Sequence, residues 1–90
     1  MNTVTINCAS IKNAEQFHEA LARGLDFPEW YGHNLDALYD CLTDIDQETE
    51  LVLNNWHDLE YALKDYSGKA LYVFHQACLE NDCLKITLHP

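Results

Sequence analysis

The sequence predicts a two-layer α/β domain of three parallel strands and four helices, in the order β-α-α-β-α-α-β. Three observations carry this. Residues 3–7 and 84–88 alternate polar and apolar side chains, the period of a half-buried strand. Leu51, Val52 and Leu53 are apolar on consecutive positions, which points to a strand central in its sheet or covered on both sides. Between these strands lie two pairs of stretches with helical spacing, and strands separated by helical pairs favour parallel pairing through right-handed crossovers.

Taken in order, the first strand puts Val4, Ile6 and Cys8 on one face. Asn13 is placed to cap a helix whose core stripe is Ala14, Phe17 and Leu21, with Gly24 as its expected end. Pro28 and Gly32 mark a loop. Asn34 is the expected N-cap of a second helix, with Asp36 in its first turn, where the helix dipole favours negative charge. Residues 44–50 form an acidic connector. After the apolar strand, Asn54 and Asn55 offer caps for a third helix carrying Trp56, Leu59 and Leu63. Gly68 is expected to break the chain before a fourth helix over about 69–81, with Ala70, Phe74, Ala77 and Cys78 inward. Leu84, Ile86 and Leu88 alternate with Lys85 and Thr87 in the last strand. Ninety residues suffice for one domain, 1–90, with one modest core.

The second helix has two incompatible faces. Leu35, Leu38 and Leu42 make a core stripe, while Asp36, Tyr39, Asp40 and Thr43 share an outward stripe. Trp30 and Tyr31 precede it across Gly32; Tyr31 is expected to pack, and one of Trp30 and Tyr39 to be mostly buried. An acidic helix flanked by aromatic rings suits binding to something cationic better than it suits chemistry.

Composition points the same way. Hydrophobic residues make up 48% of the chain, so disorder is not the reading. Fifteen Asp and Glu against five Lys and Arg give a net charge of −10 with His neutral. That field repels nucleic acid and anionic membranes, and favours basic partners. The N-terminal residues show neither a basic nor an apolar signal region, and no apolar run approaches the eighteen or so residues that span a bilayer, so a reducing, cytoplasmic location is expected. Cys8, Cys41, Cys78 and Cys83 lack Cys-x-x-Cys spacing and are expected to be buried thiols rather than a disulfide or zinc set. The five histidines show no His-x-x-x-His pair and read as dispersed surface or cap residues; His33 borders the acidic helix and would make binding sensitive to pH. Asp44, Asp46, Glu48 and Glu50 alternate as in a calcium loop, but Thr49 stands where an EF-hand needs Gly. Glycosidases pair carboxylates about 5–9.5 Å apart, yet in a cleft that an exposed helix does not supply. Neither a catalytic residue, nor a metal, nor a cofactor is expected.

Residues 28–43 closely resemble the barstar family, intracellular inhibitors of a secreted bacterial guanyl-preferring ribonuclease. The matching residues are Pro28, Glu29, Tyr31, Gly32, Asn34, Leu35, Asp36, Ala37, Leu38, Asp40, Cys41, Leu42 and Thr43. The similarity continues more thinly through residues 51–53, Val73, Phe74, Ala77, Cys83 and Ile86. The resemblance implies a parallel sheet in the order 1-2-3. It also implies inhibition of a basic, barnase-like extracellular or toxin ribonuclease in a 1:1 complex, with the acidic helix and the loop before it plugging the active site. Asp40 would enter the phosphate-binding subsite and Asp36 would act beside it. Trp30 stands for a family Tyr, Tyr39 for a Trp, and Asn34, Thr43 and Glu80 match. Three positions depart: Gln76 replaces a carboxylate, Ile45 an aromatic residue, and Asp44 a Gly, adding charge beside the interface. The expected partner-binding set is therefore Trp30, Asn34, Asp36, Tyr39, Asp40, Thr43, Asp44 and Glu80.

The physics behind such a plug is general. A nuclease gathers cationic groups, often Arg, around the scissile phosphate, and a carboxylate held on a helix can occupy that site instead. Asp36 and Asp40, one helical turn apart, have Cβ atoms about 5–6 Å from each other. The competing readings are an acidic binding module of the same fold with a different cationic partner, and a small metal-binding or hydrolytic protein.

Overall fold

Leu51 and Leu53 retain no solvent-exposed surface, because the strand that carries them, β2 (Thr49–Asn54), lies between β1 (Asn2–Asn7) and β3 (Leu84–Leu88) and turns both side chains into the core shared with the helices. The computed structural model describes residues 1–90 and forms one three-stranded parallel sheet in the order β1-β2-β3. The register aligns Val4 with Leu51 and Ile86, and Ile6 with Leu53 and Leu88, on the core face. The opposite face carries the rows Thr3, Glu50, Lys85 and Thr5, Val52, Thr87. Val52 is only half-buried, so the apolar run marks a central strand and not one covered on both sides.

Four α-helices connect the strands: α1 (Ala14–Leu25), α2 (Leu35–Thr43), α3 (Trp56–Leu63) and α4 (Asp65–Glu80), with a 3-10 turn at Cys8–Ser10. Their inner faces bury Phe17, Leu21, Leu38, Leu42, Trp56, Leu59, Ala70, Phe74 and Ala77 against the sheet. Leu35 is half-buried, so the core stripe of α2 is narrower at its start than the spacing suggests. Helix α1 starts as its sequence requires. The Asn13 side chain accepts from the Gln16 N–H at 2.8 Å, and the Gln16 side chain accepts from the Lys12 N–H at 2.7 Å.

The helix breaks fall elsewhere than the glycines. Helix α1 runs through Gly24 and ends at Asp26, whose φ of 56° is left-handed. A Cβ on Gly24 would lie 2.9 Å from Val4 Cγ1, so this glycine lets α1 approach β1 closely. Gly68 lies inside α4, and the break between α3 and α4 is Lys64, with φ 55°. A glycine within a helix costs about 1 kcal/mol, which the burial of Ser67, Ala70, Phe74 and Ala77 along α4 outweighs.

Asn55 occupies the N-cap position of α3 but makes no side-chain cap bond; its amide donates to Asn7 Oδ1 at 2.7 Å and ties the end of β2 to the end of β1. The acidic connector is shorter than its composition suggests, since β2 already begins at Thr49. All four cysteines are free thiols. Cys8 is fully buried, and burial pushes its pKa up to about 11, as suits a small apolar residue. Cys41, Cys78 and Cys83 are only half-buried, so the expectation of buried thiols holds for Cys8 alone.

Candidate functional site

Helix α2 is fixed at both ends. At its start Asn34 accepts from the Ala37 N–H at 2.8 Å and donates to Gly32 O at 3.1 Å. The preceding residue, His33, takes a left-handed φ of 51°, which turns the loop into the helix. At its end the buried Asn81, just beyond α4, donates to Leu42 O and Ile45 O, both at 2.9 Å. These bonds add a side-chain donor to a carbonyl in the last turn of α2 and to the carbonyl of Ile45 just beyond it. Helix α2 is thereby clamped to α4 and presents its outer stripe on a rigid support.

That stripe lines two adjoining hollows. One lies between α2 and α4, where Asp36, Tyr39 and Asp40 face Tyr72, Val73 and Gln76. The other lies between α2 and the preceding loop, where Asp40, Thr43 and Asp44 face Trp30 and Gly32. Asp40 borders both. Trp30 is 81% exposed, an unusual cost for so large a ring unless something covers it. Tyr39, by contrast, is half-buried and packs against the core, so neither ring is mostly buried and the more covered of the two is Tyr39. Tyr31 is buried, as its position suggested.

Asp36, Asp40 and Asp44 are exposed and take no hydrogen bond or ion pair through their side chains within the chain; the carboxylates that meet a basic side chain are Glu15 with His33, Glu60 with His57 and Glu50 with Lys85. Between residues 24 and 63 there are ten Asp and Glu and no Lys or Arg. The Thr43 hydroxyl sits 2.9 Å from Tyr39 O and 3.1 Å from Asp40 O, donating back into the helix and leaving its oxygen able to accept. The Asn34 amide is engaged at both ends within the chain, so its part is to build the helix start. Glu80, the last residue of α4, is exposed one helical turn beyond Gln76 and lines neither hollow.

An exposed carboxylate set, a projecting Trp and a capped helix coincide on one face, over a 1-2-3 parallel sheet. Residues 1–89 match the family described as Barstar (barnase inhibitor). The chain belongs to the barstar family. It is 40% identical over 78 residues to YrdF of Bacillus subtilis (strain 168), a protein provisionally named a ribonuclease inhibitor, and the match covers 86% of each chain. The three-stranded parallel sheet in the order 1-2-3 is the one that the resemblance to barstars implied, and the four helices are those that the residue spacing predicts.

Two features of this barstar-family chain escaped sequence reasoning. Tyr72, 65% exposed, lines the hollow beside Asp36. Its signal was available: an aromatic residue on α4 that falls off the core positions Ala70, Phe74 and Ala77. The second is His18, expected at the surface. It is fully buried on α1, with the hydroxyls of Tyr31 and Tyr66 2.6 Å from Nδ1 and Nε2. His18 precedes the core residue Leu21 by three positions, so helical spacing already placed it near the inner face. Burial lowers its pKa, nearby His33 lowers it further, and Glu15 acts in the opposite direction. Burial likewise raises the pKa of both tyrosine hydroxyls.

Proposed function

We propose that this chain inhibits a basic, barnase-like ribonuclease by covering its active site with α2 and the loop before it. The observation that carries the reading is that Asp40 and Asp44 lie beside exposed Trp30, with Asp36 in the adjoining hollow, and that none of the three has a side-chain partner inside the chain. Carboxylates in this state lose no internal bond when a cationic group arrives. Family membership supports the ribonuclease as the source of that group.

In this reading Asp40, which borders both hollows, takes the place of a substrate phosphate among the nuclease's cationic side chains. Asp36 acts one turn away, and Asp44 and Glu80 widen the negative footprint. Trp30 contributes rigid apolar area that excludes water around the charge pairs, with Tyr39 and Thr43 completing the surface. Helix α2 needs little ordering on binding because Asn34 and Asn81 already hold it, which lowers the entropic cost of association. The complex is 1:1, the chain acts as an inhibitor without catalysis, and the target is an extracellular or toxin ribonuclease blocked in the cytoplasm of the cell that needs protection.

The test is inhibition of a small, basic, guanyl-preferring ribonuclease by the purified chain, with Asp40→Ala alongside. Potent inhibition that the variant loses supports the plug. Equal inhibition by both removes Asp40 from the centre of it. No inhibition by the wild type, together with capture of a different basic protein on the same face, favours a module of this fold with another cationic partner. Association should also slow with added salt, because the Debye length at 0.1 M is about 10 Å and screens charge steering. Barnase and barstar are themselves a standing example of such steering.

A further inference from the structure

His18 joins three segments that lie far apart in sequence: α1, which carries it, the loop before α2 through Tyr31, and the start of α4 through Tyr66. In a neutral imidazole one ring nitrogen donates and the other accepts, so two hydroxyls satisfy either tautomer. The loop turns at Pro28, whose carbonyl accepts from the Tyr31 N–H at 2.9 Å. From this turn adjacent side chains diverge, with Tyr31 6% exposed and Trp30 81% exposed. The Tyr31 ring packs on Phe27 and His33, with centroids 4.9 and 5.2 Å away. Ring packing alone is non-directional and lets a ring slide, whereas a hydrogen bond to a buried acceptor or donor fixes its depth and angle.

We infer that His18 is a positioning residue for partner binding: its bond to Tyr31 holds the loop that presents Trp30 in the conformation the partner meets. The inference rests on the reading that this face docks a ribonuclease, but the order of the loop is a property of the free chain and is measurable without a partner. Tyr66 anchors the other side of the ring from the start of α4, so the two bonds of His18 join it to different segments and have separable consequences.

Two substitutions divide them. In His18→Asn the amide reaches the position of Nδ1 and keeps the bond to Tyr31; in His18→Gln it reaches the position of Nε2 and keeps only the bond to Tyr66. The first readout is amide hydrogen exchange of Phe27 and Tyr31, the hydrogen-bonded amides of the loop, in the free chain, divided by that of Leu51 and Leu53 in the central strand to remove changes in overall stability. His18→Gln should raise this loop-to-strand ratio about three- to tenfold, the range of one lost hydrogen bond, while His18→Asn leaves it unchanged. Tyr31→Phe and Tyr66→Phe, each lacking one hydroxyl, should repeat that split if a histidine variant folds poorly.

The second readout is association with a small basic guanyl-preferring ribonuclease, which should slow in His18→Gln and not in His18→Asn. Loop exchange that follows the central strand in every variant overturns the inference, as do equal effects of the two histidine substitutions. A wild-type chain that binds no such ribonuclease sinks the proposed function instead, and the exchange ratios then decide the role of His18 in holding the loop.

Discussion

On the open face of the sheet, Glu50 accepts from the Thr87 hydroxyl at 3.3 Å and lies 4.0 Å from Lys85 Nζ. Across the molecule, on the face formed by α2 and its preceding loop, Asp36, Asp40 and Asp44 have no such neighbours, and the nearest Lys and Arg in sequence are Arg23 and Lys64. Carboxylates of one chain thus serve two ends. Glu50 is answered within its own sheet and helps join β2 to β3. The aspartates are held in place by their helix but left without counter-charge, so the attraction they can offer is directed outward. Holding like charges together in this way works against the folded state, and the deep packing of Leu38 and Leu42 on the other side of the same helix offsets it.

The strongest way to break this comparison is Asp40→Ala. It should weaken ribonuclease binding by about 2–5 kcal/mol, the usual cost of removing one partner from a desolvated charge pair. The stability measured by urea unfolding should stay within about 0.5 kcal/mol of wild type, since the Asp40 side chain has no bond to lose. Next is Trp30→Ala, expected to cost about 2 kcal/mol in calorimetric titration with the nuclease while leaving stability unchanged. A large loss of stability there would mean that Trp30 belongs to the fold and not to the outward face.

A smaller effect concerns the support behind the loop. The folded-state pKa of His18 lies below its ordinary value of 6.5, so the unfolded chain takes up more protons as the solution becomes acidic. The stabilisation from keeping His18 neutral and buried is complete above about pH 6.5. It is lost as pH falls through that value towards the lower folded pKa. Urea midpoints between pH 8 and 5 should therefore fall more steeply for the wild type than for His18→Asn, and parallel curves would show that His18 does not titrate on unfolding. The smallest effect is expected from Glu50→Gln: no change in nuclease affinity, and a stability loss below about 1 kcal/mol by urea titration, as for a partly exposed ion pair.

The asparagines and tryptophans show how far sequence reasoning reaches. Asn34 and Asn55 each precede a helix and look alike as caps, yet only the Asn34 side chain bonds into its helix; that of Asn55 turns away to Asn7 because β1 ends beside it. Trp30 and Trp56 are the same residue with opposite fates, 81% and 5% exposed. The position of Trp56 on a helical core stripe announced its burial, whereas no periodicity operates in the loop that carries Trp30. Gly24 and Gly68 look like helix ends and are not, because the packing of α1 on β1 and of α4 on the core exceeds the local penalty.

Strand alternation, helical spacing, the Asn34 cap and the apolar middle strand determined the elements and their order, since each depends on residues within a turn or two of one another. The same local pattern set Asp36 and Asp40 on one stripe of α2. Only the tertiary structure decided that Trp30 and not Tyr39 projects, that His18 is buried between two tyrosines, and that Tyr72 and Gln76 of α4 face the aspartates of α2. These depend on contacts between distant segments, where buried area and satisfied polar groups outweigh local preferences of about 1 kcal/mol or less.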